Sequence, residues 1–176
     1  MNFDGIVNVS VRLSWQFVGD ITLDHEGNLN FPPTGHLADR GHVYRLTGRR
    51  SIKLQGSHDQ QSRWWLYIGQ TRNIQTRMNK YRNPGPGQAT NLRVNNALRR
   101  ELEQRTQVAL FIARDIEIKI GSQWTGIDTD STVQRTLAES AALTHYYKTE
   151  NLLDVDSLNK GLDDSVDREF KDIPWP

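Results

Sequence analysis

The chain has no cysteine among its 176 residues, which excludes disulfides and thiolate metal sites and fits a reducing compartment such as the cytoplasm. It also lacks any apolar run approaching the ~20 residues of a membrane span. The opening MNFDGIVNVS has neither the basic start nor the apolar core of a signal peptide. No internal repeat or low-complexity segment is present. Asn83-Pro84-Gly85-Pro86-Gly87 is a glycine-rich loop, but without a following Lys-Ser/Thr it is no phosphate-binding P-loop. These absences leave one domain of ordinary size, able to bury a core without staples.

Net charge is nearly absent as well, at +1 overall, but the total hides an uneven distribution. Residues 1–39 carry a net −4, and residues 106–176 a net −6. Between them, residues 40–105 hold fourteen basic and three acidic side chains. A basic block inside a near-neutral chain is the electrostatic footprint of a nucleic-acid binder, although a solvated face balanced by the acidic tail would have the same composition.

Hydrophobic patterning sets out the elements. IVNVSVRLSWQFV alternates as a strand that Gly19-Asp20 follows, and Pro32-Pro33-Thr34-Gly35 breaks the chain. GHVYRLTG, 41–48, reads as a second strand, and the polar, basic stretch 49–62 as a connection to the continuous run Trp64–Ile68. Gly69 ends that run. Thr71 is the expected cap of a helix with Ile74, Arg77, Met78 and Tyr81 on one face. A second helix is expected over 91–105, turning Val94, Leu98 and Leu102 inward. Val108–Ala113 suits a central strand, and IEIKI at 116–120 a neighbouring or continuing one. Asp130 or Ser131 caps a last long helix to about Lys148, with Val133, Leu137 and Ala141 on one stripe and Glu139, Leu143 and Tyr146 on another. A short helix is expected around 164–171. The fold class is therefore α/β (α+β), a small antiparallel sheet flanked by helices.

Two residues sit oddly in this pattern. Arg77 shares an apolar face with Ile74 and Met78, where an unpaired guanidinium is costly unless an anion meets it. An arginine with tyrosines aimed at one point suggests a phosphate site, although taken alone Arg77 could snorkel to water. Glu139 is the carboxylate expected to turn inward on its helix, where an arginine, hydrogen bonds or a metal ion would stabilise it; an ordinary ion pair satisfies the same pattern. Singly, Tyr44, Tyr67 and Tyr81 read as core or helix-face aromatics, and Trp64 and Trp65 as packing residues. His42, His58 and His145 have no clustered partners.

Taken in order, Tyr67-Ile68-Gly69, an arginine ten residues on at Arg77, Tyr81 four residues later and Glu139 on a later helix resemble the GIY-YIG nuclease signature, with Tyr44 standing where its first half belongs. The resemblance covers roughly residues 41–159, between an N-terminal β-rich extension, 1–40, and an acidic tail, 160–176. The first motif here reads His42-Val43-Tyr44, keeping the tyrosine but not the glycine. About twenty residues separate Tyr44 from Tyr67, more than compact members use, which resembles the restriction-endonuclease branch.

The resemblance implies a DNA endonuclease using Mg²⁺ (or Mn²⁺) held by Glu139. Tyr44 would be the general base, Tyr67 its hydrogen-bonding partner, Arg77 the phosphate-charge stabiliser and Tyr81 a donor to the phosphate or an aid to Tyr44 by position. The family's closing asparagine would be Asn151 or Asn159. Expected duplex contacts are Arg49, Arg50, Lys53, Arg63, Arg72, Lys80, Arg82, Arg93, Arg99 and Arg100, with homodimer formation required for a palindromic double-strand cut. A non-cleaving nucleic-acid-binding module of the same fold, and a structure-selective repair or RNA nuclease, are the competing readings.

Overall fold

The computed structural model describes residues 8–37, 39–53, 60–149 and 155–157; side chains at 50–53, 60–64, 147–149 and 155–157 are outside the description. The expected helix at 164–171 lies outside the described residues.

The fold is α+β. One curled sheet, antiparallel but for one edge pairing, runs in the order β2-β1-β5-β3-β4-β7, with β6 added to β5. The strands are β1 (Val9–Leu23), β2 (Leu29–Asn30), β3 (His42–Lys53), β4 (Gln60–Thr71), β5 (Gln107–Ile120), β6 (Gln123–Gly126) and β7 (Val155–Ser157), the last parallel to β4. Helices α1 (Ile74–Arg82) and α2 (Ala89–Glu103) bury one face, and α3 (Thr132–Thr149) covers the other.

Each face has its own core because side chains alternate across a strand. Tyr44, Leu46, Trp65, Tyr67, Leu110 and Ile112 pack under α1 and α2 with Ile74, Met78, Tyr81, Val94 and Leu98. Val43, Leu66, Ile68, Ala113 and Ile116 pack beneath Ala138 and Ala142 of α3. The N-terminal segment belongs to the same sheet: β1 pairs with β5 from Val9↔Ile120 to Ile21↔Val108, and Ile21, Leu29, Phe31 and Leu37 join the first core.

Several expectations are corrected. The strand β1 passes through Gly19-Asp20, absorbing two register shifts on the way, rather than stopping there. The stretch 49–62 is strand on both sides of residues 54–59, because β3 and β4 stay paired out to Lys53↔Gln60. Past Arg49↔Gln107, β5 no longer flanks β3, and among the described residues the hairpin continues as a two-stranded ribbon. Of the two readings for 116–120, the continuing one holds: 108–113 and 116–120 form one strand with a bulge at Asp115, whose φ is 49°. On α3, Val133 is 79 % exposed and Leu137 38 %, so that expected stripe faces outward; Arg135, Ala138 and Ala142 face the sheet, and Leu143 and Tyr146 of the other expected stripe pack beside them. The cap of α1 is Asn73, whose side chain accepts from the Thr76 amide; Thr71 instead braces the preceding turn through its hydroxyl to Asn73.

Candidate active site

The central hairpin brings the tyrosines together. Tyr44 on β3 pairs in register with Gly69 on β4, and Tyr67 pairs with Leu46, so both tyrosines stand on the face that α1 covers. From α1, Tyr81 drops into the gap between them. Its hydroxyl lies 2.6 Å from that of Tyr44 and donates to that of Tyr67 at 3.2 Å. Each phenol has one proton, so with Tyr81 donating to Tyr67, Tyr44 donates to Tyr81. The three rings meet at centroid distances of 6.1 to 6.4 Å. Tyr44 and Tyr81 are fully buried, and Tyr67, at 8 % exposed, is the member nearest to solvent.

Burial pushes the Tyr44 phenol well above its usual range, with the neighbouring tyrosines adding to the effect, and Tyr81 is raised mainly by burial too. Both are neutral phenols at physiological pH. Arg77, half-buried on α1, has its guanidinium 5.9 Å from the centre of the Tyr81 ring. Burial alone would weaken its hold on its proton, but Tyr44, Tyr81, Tyr67 and Glu139 more than reverse that. Glu139, half-buried on α3, is raised above the ordinary carboxylate range by burial, with Arg77 pulling the other way. Arg77 and Glu139 therefore feel one another across the fold, and β4, which past Leu66 has no strand on its outer side among the described residues, runs between their helices.

The structure thus gathers Tyr44, Tyr67, Arg77, Tyr81 and Glu139 into one electrostatic group. Asn151 and Asn159 lie outside the described residues, as do His58 and the side chains of Trp64, Arg50, Lys53 and Arg63. Trp65 is core, with its indole nitrogen against Gly48. His42 is buried, bonded at 2.7 Å to the Leu37 carbonyl, and burial lowers its pKa. Among the expected duplex contacts, Arg49, Arg72 and Lys80 are exposed and Arg93, Arg99 and Arg100 half-buried. Arg82 turns inward: its Nε donates to the Leu29 carbonyl at 2.8 Å and its guanidinium faces Phe31, so it ties α1 to β2.

Two arginines escaped sequence reasoning. Arg135, 3 % exposed, donates to the Gln70 amide oxygen (2.9 Å), the Thr129 carbonyl (2.5 Å) and the Thr132 hydroxyl (3.1 Å). It pins the start of α3, one turn before Glu139, to the residue after Gly69. Gly41 leaves the room it occupies. Arg45 is stacked among Trp15, Phe111 and Tyr146 and donates to the Tyr146 hydroxyl. Nothing local marked either: Arg135 stands between polar neighbours, and Arg45 lies within a basic strand.

A metal ion would find one carboxylate here, and no group of three or more His, Cys, Asp or Glu gathers among the described residues. That donor set suits a hard, largely hydrated cation such as Mg²⁺, which commonly takes one or two carboxylates and completes its shell with water and substrate phosphate.

Among known proteins, no family model and no curated protein matches the chain. A solved structure of a bacteriophage T4 EndoII mutant aligns over 78 % of this chain and 91 % of that one, at 14 % identity and a TM-score of 0.45. A likeness that distant says nothing about chemistry. No helix among the described residues is long and apolar enough to cross a membrane.

Proposed function

We propose that this protein is a metal-dependent DNA endonuclease that hydrolyses phosphodiester bonds. The observation that carries this reading is the convergence of three phenol hydroxyls with Arg77 and, within charge reach of it, Glu139. A core needs none of these polar groups there. Phosphodiester hydrolysis needs all three kinds: a proton acceptor for water, positive charge for the phosphoryl oxygens and a carboxylate for a metal ion.

In this reading Arg77 stabilises the charge that builds on the non-bridging oxygens. Glu139 holds the divalent ion, Mg²⁺ or Mn²⁺, which when bound supplies Lewis-acid stabilisation of the leaving oxygen. Tyr44 takes the proton of the attacking water. Its hydroxyl is buried, so Tyr44 first loses its own proton outward along the Tyr44–Tyr81–Tyr67 chain, which meets the outside at Tyr67; the hydrogen bonds of the chain are thereby reversed, and it then carries the water's proton back to the Tyr44 phenolate. Tyr44 is a weak acid in this setting, and Arg77 is the nearby cation that favours the phenolate.

The substrate class follows from charge. The basic block 40–105 spans the β3–β4 ribbon, α1 and α2, and Arg49, Arg72, Lys80, Arg93, Arg99 and Arg100 leave cations at or near the surface, with Arg50, Lys53 and Arg63 carried on the ribbon. We assign duplex DNA and sequence-specific cutting, with two copies acting together at a palindrome. Cleavage of supercoiled plasmid with Mg²⁺ and with EDTA, by wild type and Glu139→Ala, tests the reading. Discrete fragments that require Mg²⁺ and vanish in the variant support it. Salt-sensitive DNA binding with no cleavage would replace it with a non-cleaving binding module, and nicking or smearing with a structure-selective nuclease.

A further inference from the structure

The outer face of α2 is used by neither core nor tyrosine cluster. At 100° per residue, Ala89, Leu92, Arg93, Asn96 and Arg100 fall within an arc of about 100°, and they line one shallow depression along the helix. Leu92 is 50 % exposed. Asn96 is exposed, and its side-chain carboxamide makes no hydrogen bond among the described residues. The stripe contains no carboxylate, and the first turn of α2 has no acidic residue. The N-cap, Gln88, offers no side-chain hydrogen bond to the first-turn amides, which leaves them to an outside acceptor such as a phosphate.

This mixture is informative because phosphate binding alone would not call for it. A face that only gripped a backbone would be served by lysines and arginines; an exposed leucine and a free carboxamide add nothing to that. Against base edges each has a use. Asn pairs with adenine through two hydrogen bonds, Arg with guanine likewise, and an apolar side chain packs on the thymine methyl group. The helix is also the right width, since its ~10–12 Å diameter matches a major groove of about 12 Å.

The face is rigidly tied to the candidate active site. Asn95, beside Asn96, is buried and donates its Nδ2 to the Tyr81 carbonyl at 2.6 Å and the Arg82 carbonyl at 3.2 Å. Val94 and Leu98 share a core with Tyr44, Tyr67 and Tyr81. A base held by Asn96 would therefore stand at a fixed offset from the three phenols.

We infer that the outer face of α2 is a base-reading surface for the major groove of duplex DNA, with Asn96 specifying adenine, Arg93 guanine, and Leu92 the thymine methyl. The inference rests on the reading of this protein as one that acts on duplex DNA. Arg99 is off the stripe, close to Gly27 in the β1–β2 turn, and contributes charge without base discrimination.

The test is enrichment from a randomised duplex library by the full chain, in EDTA and separately in Ca²⁺ so that the library stays intact, followed by sequencing of retained duplexes. Wild type enriches a motif. Asn96→Ala loses roughly ten- to a hundredfold discrimination at one A·T pair of it, and Asn96→Asp shifts preference there towards cytosine, whose amino group a carboxylate accepts. Arg99→Ala weakens binding evenly across sequences. No enriched motif in wild type, or the same motif from Asn96→Ala, overturns the inference. Plasmid cleavage in Mg²⁺ reports on the nuclease reading independently, so a cutting enzyme with an unaltered motif would sink only the role of α2. Asn96 is exposed, and thermal melts confirm that its variants are folded.

Discussion

The Tyr44 side chain lies across Gly69, and a Cβ at 69 would stand 2.6 Å from its hydroxyl oxygen and 2.7 Å from the ring carbon that bears it. The two residues are cross-strand partners, so the glycine of one motif is the space the tyrosine of the other occupies. Gly69→Ala is expected to displace the ring and break its bond to Tyr81. Overpacking of this kind costs about 1–3 kcal/mol, read as a lower denaturation midpoint, together with loss of plasmid cleavage. A variant as stable and active as wild type would show that the contact is dispensable.

Tyr81 is the middle member of the phenol chain, and its removal strands both neighbours. In Tyr81→Phe, the buried Tyr44 hydroxyl loses its acceptor and Tyr67 its donor, at a cost of about 1–3 kcal/mol per unsatisfied group. Tyr67→Phe should cost less, because Tyr67 is at the more exposed end and its loss strands only the Tyr81 proton. Urea denaturation of the two variants decides the order; equal losses would argue against the relay as drawn.

Glu139 has the signature of a residue kept at the expense of stability. Its folded-state pKa is raised by burial, so the protonated form is favoured by folding. Below the ordinary carboxylate pKa both states are protonated and no penalty exists. As pH rises through the raised folded-state value the charged form must be buried, and stability falls. Glu139→Gln is therefore expected to melt higher than wild type at pH 7, with the difference shrinking towards pH 4, while cleavage is lost. A variant less stable than wild type at pH 7 would reveal a structural ion pair instead.

The raised pKa of Tyr44 gives the rate a direction with pH. The proton-accepting form grows as pH increases, so single-turnover cleavage should climb on the alkaline side of neutrality instead of levelling off. A rate independent of pH between about 6 and 9 would exclude a tyrosine base.

Arg135 links sheet and helix by hydrogen bonds to three neutral acceptors. Lysine has the charge but not the planar fork, so Arg135→Lys should leave some of these acceptors unpaired and lower stability by about 1–3 kcal/mol. Thermal denaturation checks this, and an unchanged melt would show that water replaces the fork.

What the sequence disclosed and what it hid have physical reasons. The run Trp64–Ile68 was legible as a strand because Trp65–Ile68 are buried on both faces and leave no polar alternation, and Arg77 stood out because a charge on an apolar helix face is rare. The ribbon beyond Arg49 was not, since strands that among the described residues pair only with each other can be polar on both faces and then look like loop. On α3, counting stripes found two candidates, and only the sheet decides which is covered; small Ala138 and Ala142 fit closely against it, and larger Val133 and Leu137 were left outside. Arg135 was invisible for the same reason, as a helical arginine between polar neighbours reads as solvent-facing. The Tyr44–Tyr81–Tyr67 contact joins residues far apart in the chain, and its order of hydrogen bonds needs coordinates.

The most direct test is supercoiled-plasmid cleavage by wild type and Glu139→Ala, each with Mg²⁺ and with EDTA. Discrete linear fragments from wild type in Mg²⁺ alone, and none from the variant under either condition, are the predicted result. Cleavage that survives EDTA or the loss of Glu139, or its complete absence from a folded wild type that binds DNA, would contradict a metal-dependent nuclease built on this site.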